Sequence, residues 1–128
     1  MKELNTLYWL KHEKRQIENQ IKELTVLSAV SMSGMPSGAT VSSPVERFNE
    51  RLEKLKEKLQ QKCAEILIET ERIEERIENI EDAEIRVIAR KRFIETKTFK
   101  TIGEELFIDR TTAYKKLKQY FERRERDG

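Results

Sequence analysis

From Phe48 to Ile80 the chain carries an apolar or burial-tolerant residue at every third or fourth position: Phe48, Leu52, Leu55, Leu59, Cys63, Ile66, Thr70, Ile73, Ile77 and Ile80. That period belongs to one face of an α-helix. At a rise of about 1.5 Å per residue the helix would be about 50 Å long, more than an ordinary small globule can enclose. Its seam therefore needs a partner helix along its length. A start signal precedes it: Ser43 is placed to cap, Pro44 to occupy the first helical position and Glu46 to complete a capping box. The four-residue step from Leu59 to Cys63, following another four-residue step, reads as a local stutter. Cys63 is expected to be a buried, small apolar residue of that stripe. As the single cysteine it cannot form an internal disulfide.

Two partners suit the seam. Residues 3–28 repeat the pattern at Leu7, Leu10, Ile17, Ile21 and Leu24, with Lys14 in one seam position, and can fold back antiparallel. The same helix in a second subunit would serve equally, and a homodimer is expected. Leu4, Tyr8 and Trp9 thicken the stripe at its start, so that end is expected to pack against more than one neighbour, with Trp9 in the core. Between the stripes, residues 31–44 read SMSGMPSGATVSSP, uncharged and rich in Gly, Ser and Pro. Such a stretch has too little apolar surface to offset its ordering entropy and is expected to be a flexible loop.

Charge narrows the classes. Charged residues make up 39% of the 128, against about 25% in ordinary soluble domains, as solvated helices require. No stretch approaches the roughly 18 uncharged apolar residues of a membrane span, and the first residues carry charge where a signal peptide is apolar. No membrane association and a cytoplasmic location are expected. The net charge of +2 conceals an asymmetry: residues 83–128 hold 13 basic and 8 acidic side chains, residues 1–82 hold 13 and 16. Residues 65–82 alone carry eight acidic against two basic, which would keep that part off a phosphate backbone. A basic terminal segment points to a polyanion.

After Asp82 the pattern breaks into shorter helices. The first is expected over 83–96, with Ile85, Val87, Ile88, Ala89, Phe93 and Ile94 available for a core. Thr98 can cap a second, Phe99 to Leu106, and Asp109 a third from Arg110 to about Arg124. Three residues between the last two match a helix-turn-helix, and Gly103 permits close approach of the following helix. Ile102, Leu106, Ile108, Ala113, Leu117 and Phe121 supply the core around it. Arg110, Thr111, Tyr114, Lys115 and Lys118 remain on the opposite face, which suits a DNA major groove. Lys100, Arg90 and Lys91, with Arg86, Arg92 and Lys97, would extend the contact to phosphates. The turn position commonly held by Gly is Phe107, which predicts a turn of another type.

ETKTFKTIGEELFIDRTTAYKKLKQYF resembles region 4 of the sigma-70 family and the related C-terminal domain of small phage regulators, the late-gene activators of the RinA and ArpU type. Their layout is similar too: an N-terminal helical hairpin with a variable polar loop, then a segment like IENIEDAEIRVIARKRFIE. The likeness covers nearly the whole chain in layout and residues 77–121 in motif detail. It implies that Arg110, Thr111, Tyr114 and Lys115 read promoter DNA in a bacterial host cell, that the protein activates late transcription, and that host RNA polymerase is a further partner.

The expected fold is all-α: a coiled-coil-like helical hairpin over 1–82 with its loop at 31–44, then a three-helix helix-turn-helix domain over 83–128. Two other functions fit the same pattern. A small terminase subunit also joins such a motif to oligomerising helices, and a coiled-coil module without DNA binding would leave the basic residues merely solvated. His12 stands without a second His or a Cys nearby, and no phosphate-binding loop or nucleophile motif occurs, so no enzyme, cofactor or metal is expected.

Overall fold

The computed structural model describes residues 1–32 and 43–127, and among them every regular element is helical. A short 3₁₀ turn, Lys2–Leu4, precedes α1 (Thr6–Met32), followed by α2 (Pro44–Glu78), α3 (Ala83–Ala89), α4 (Phe99–Leu106) and α5 (Arg110–Asp127). The all-α class holds. Of the expected loop, residues 31 and 32 belong to α1 and Pro44 to α2; residues 33–42, on which the expected flexibility fell, lie outside the described residues.

Capping residues set the helix starts. The Glu46 N–H donates to Ser43 Oγ at 3.2 Å, with Pro44 first in the helix as expected. Asp82, not anticipated as a cap, accepts from the N–H groups of Glu84 at 2.8 Å and Ile85 at 3.3 Å. Thr98 and Asp109 cap α4 and α5 as the sequence predicts, accepting from Thr101 at 3.2 Å and Thr111 at 2.7 Å.

The chain divides into two compact units, Leu10–Glu65 and Met1–Trp9 with Ile66–Gly128. Within Leu10–Glu65, parts of α1 and α2 run antiparallel, and Lys62 Nζ lies 3.5 Å from Glu13. The partner left open by the sequence is, in this unit, the N-terminal helix of the same chain. Ile17, Ile21, Leu24, Phe48, Leu52 and Leu59 are half-buried along the seam, and Leu55 is buried. Cys63 is exposed, which corrects the expectation that it is buried. Lys62 occupies the seam instead, its side chain only 16% exposed. With Lys62 in place of Cys63 the steps from Phe48 to Ile66 alternate four and three, and the stutter at Leu59 disappears. A lysine can bury its methylene stem while its ammonium reaches Glu13 and Glu65, so apolarity alone chose the wrong residue.

In the other unit α1 begins beside α2: Thr6 Oγ1 donates to Glu69 at 2.8 Å, and Arg76 reaches Glu3 at 3.4 Å. Leu4 is buried and lines, with Ile77 of α2, Ile80 just beyond it and Tyr120 and Phe121 of α5, a cavity of about 50 Å³, so this end does meet several neighbours. Trp9, at 63% exposure, and Tyr8 are not core residues, because Leu7 and Leu10 hold the seam and the intervening positions face away. The buried core continues through Ile73, Ile85, Ile88, Ala89, Phe93, Ile102, Ala113 and Leu117. Val87, expected there, is exposed.

Two backbone features depart from expectation. The helix predicted over 83–96 is regular only to Ala89, then widens into a π-helical turn, Arg90–Ile94, closed by the Glu95 N–H on Arg90 O. Here packing prevails over local regularity: Phe93 is buried and meets Phe121 edge-on at 5.9 Å. The turn between α4 and α5 is the left-handed one after all, with Phe107 at φ 57° and ψ 41°. Its 95% exposed side chain meets no obstruction, and the turn lets Gly103 O accept the N–H groups of both Phe107 and Ile108. A β-carbon on Gly103 would stand 2.6 Å from Ile108 O and 3.1 Å from Arg110 N, so only glycine lets the chain pass this close.

Candidate nucleic-acid interface

The start of α5 is fixed twice, by the close pass at Gly103 and by the Asp109 cap. The hydrogen bond from the Thr111 N–H holds the Asp109 carboxyl below its ordinary pKa, with Arg110 and Lys115 adding to the effect, so the cap is a carboxylate at neutral pH. Ala113 and Leu117 turn inward and are fully buried. Arg110, Thr111, Tyr114, Lys115 and Lys118 are exposed, as the spacing predicts. From Arg110 to Phe121 the helix contains no acidic residue. A helix surface of this kind can place its first side chains against base edges and its cations against phosphates.

Tyr114 is not a free side chain. Its ring meets Phe99, the first residue of α4, edge-on at 5.3 Å and 84°, and Lys118 Nζ lies 5.7 Å from the Tyr114 ring. The Arg92 guanidinium sits 4.6 Å over Phe99 and donates to Lys97 O at 3.1 Å. Nothing in the sequence singled out Phe99, because the pairing depends on the π-helical turn and the α4–α5 crossing.

The cations expected to contact phosphates divide into groups. Lys100 is exposed on α4. Arg90 is exposed and lies 3.4 Å from Glu74. Lys91 and Lys97 converge on Glu105 at 3.4 and 2.6 Å, and Lys97 also pairs with Glu95 at 2.8 Å. That hydrogen bonding raises the Lys97 pKa and lowers that of Glu105. Much of the positive charge foreseen at Lys91 and Lys97 is therefore offset within the protein. Arg86 donates to Ile80 O at 2.7 Å and Glu81 O at 3.1 Å, which ties it to the end of α2.

Among the described residues no group of three His, Cys, Asp or Glu side chains is placed to hold a metal ion, and no helix is long and apolar enough to cross a membrane. These features define an all-helical protein in which a three-residue turn leads into a helix, exposed on one face, that carries no acidic residue before Glu122, which lies 3.9 Å from Lys118. Residues 46–124, more than half of the chain, match the family described as "Protein of unknown function (DUF1492)", and the chain belongs to that family. No curated protein and no solved structure matches it.

Proposed function

We propose that this protein binds double-stranded DNA through the first two turns of α5 and regulates transcription. The observation that supports this best is the exposed set Arg110, Thr111, Tyr114, Lys115 and Lys118 on a helix whose start is held by Gly103 and Asp109. A recognition helix needs this combination, because base edges are read only when the helix enters the major groove at a fixed angle. The sigma-region-4 resemblance of residues 77–121 extends the reading to a phage late-gene activator that works at promoter DNA in a bacterial cell and contacts host RNA polymerase. The DNA-binding part is then residues 83–128, and the protein acts by binding rather than by catalysis. A dimer would place two such helices on two half-sites, one helical turn of DNA apart or a multiple of it.

The test is a titration of the purified chain against random-sequence duplex and native upstream phage DNA at two salt concentrations, with its mass in solution measured alongside. Site-selective binding by a dimer is the expected result. Arg110→Ala should then lose sequence discrimination, while Lys100→Ala should weaken all sequences alike and reduce the salt slope by about one. A large ring with DNA affinity would redirect the reading to a packaging subunit. No affinity even at low salt would overturn DNA binding and leave a protein-interaction module.

A further inference from the structure

We infer that Arg92 and Phe99 are positioning residues for Tyr114, and that the three form a ladder that lets one tyrosine on α5 discriminate a single base pair. The inference rests on the reading of α5 as the DNA-recognition helix.

The ladder is fixed from its far end. Arg92 lies in the π-helical turn, half-buried, with its guanidinium donating to Lys97 O and lying over the Phe99 ring at 4.6 Å. Phe99 is held at the first position of α4 by the Thr98 cap, and its ring meets Tyr114 edge-on at 5.3 Å. Lys118, one turn further along α5, stands 5.7 Å from the Tyr114 ring. Tyr114 nevertheless remains 39% exposed, so its ring is braced without being enclosed.

Bracing matters for recognition. An unsupported tyrosine on a helix surface loses rotamer freedom when it docks, and its hydroxyl can swing to several partners. A braced ring presents its hydroxyl, both donor and acceptor, in one place, where a base edge of the right pattern fits and a wrong one is left unpaired. The same geometry changes the role of Arg92. As a phosphate contact it would add to affinity on every sequence; with its guanidinium over Phe99 and on Lys97 O it acts through Tyr114 instead.

The experiment selects duplexes from a randomised pool with the full chain and compares base preferences position by position for the wild type and variants, with thermal unfolding measured on each. Tyr114→Ala should lose preference at one base pair. Phe99→Leu and Arg92→Gln should weaken preference at that same base pair, by about tenfold for a contact of this class, and leave the other positions and the salt slope unchanged. Phe99→Tyr, which keeps the aromatic edge, should restore it. If Phe99→Leu unfolds, Arg92→Gln and Phe99→Tyr still decide the matter. An even loss at all positions would make the ladder merely structural, and a fall of about one in the salt slope on Arg92→Gln would make Arg92 a phosphate contact. Either result overturns the inference, as does an unchanged profile in Tyr114→Ala. A wild type that selects no sequence at all would overturn the DNA reading together with it.

Discussion

The unit Leu10–Glu65 and the unit Met1–Trp9 with Ile66–Gly128 are both helical, yet they bury their apolar residues to different depths. In the first, Leu55 alone among the described residues is fully enclosed, and the other seam residues are half-covered. In the second, Ile73 and Ile77 of α2, Ile85 and Ile88 of α3, and Phe93, Ile102, Ala113 and Leu117 are all buried. Two antiparallel helices have only one contact line, so each side chain keeps a wet edge. Helices that cross can surround a residue on all sides. Closed packing is what can hold a helix such as α5 at one angle, whereas a two-helix seam tolerates a lysine at Lys62.

Core truncation is the strongest challenge to this contrast. Leu117→Ala, at a fully buried site, should cost about 3 kcal/mol, and Leu59→Ala, at a half-buried seam site, about 1 kcal/mol. Denaturant unfolding with residue-level hydrogen exchange checks both, and equal costs would mean that burial depth does not separate the units. Gly103→Ala should come next, at about 2 kcal/mol, because its β-carbon would meet backbone atoms that cannot rotate aside. Retained stability there would show that α4 and α5 can separate without penalty.

Phe107→Gly acts in the opposite direction. It relieves a left-handed backbone at a residue whose side chain is 95% exposed, and a gain of about 1 kcal/mol in thermal unfolding is expected. A loss would show that the phenyl ring makes a stabilising contact.

Ionisation separates the units with the smallest effect, since exposed pairs contribute little. Glu69, Glu105 and Asp109, in the closed unit, have pKa values held below ordinary, chiefly by hydrogen bonds from Arg72, Lys97 and the Thr111 N–H. Their contribution is complete above the ordinary carboxylate values of 4.5 and 3.8 and is lost as pH falls through the lower folded values. Lys62, in the seam, has its pKa raised, first by its hydrogen bond to Glu65. Its contribution is complete below 10.5 and is lost as pH rises through the higher folded value. Lys97, in the closed unit, has its pKa raised as well, first by its hydrogen bond to Glu105, so alkali acts on both units and acid is what separates them. Hydrogen exchange should therefore show the closed unit loosening first as pH falls.

Much of this protein follows from its amino-acid order. The helix starts at Pro44, Phe99 and Arg110, the need for glycine at position 103 and the outward set on α5 are local or periodic properties, fixed by capping chemistry and the 3.6-residue turn. The tertiary structure decided what depends on a second surface. It put Lys62 rather than Cys63 in the seam, because a lysine can lay its stem along a neighbouring helix and send its charge to Glu13. It widened the helix at Arg90–Ile94, where burial of Phe93 outweighs regular hydrogen bonding. It placed Arg92 over Phe99 and Phe99 against Tyr114, a contact among residues from three elements that no single helical period encodes. It held Phe107 left-handed, because the close pass at Gly103 and the hydrogen bonds onto its carbonyl outweigh the cost of one strained residue.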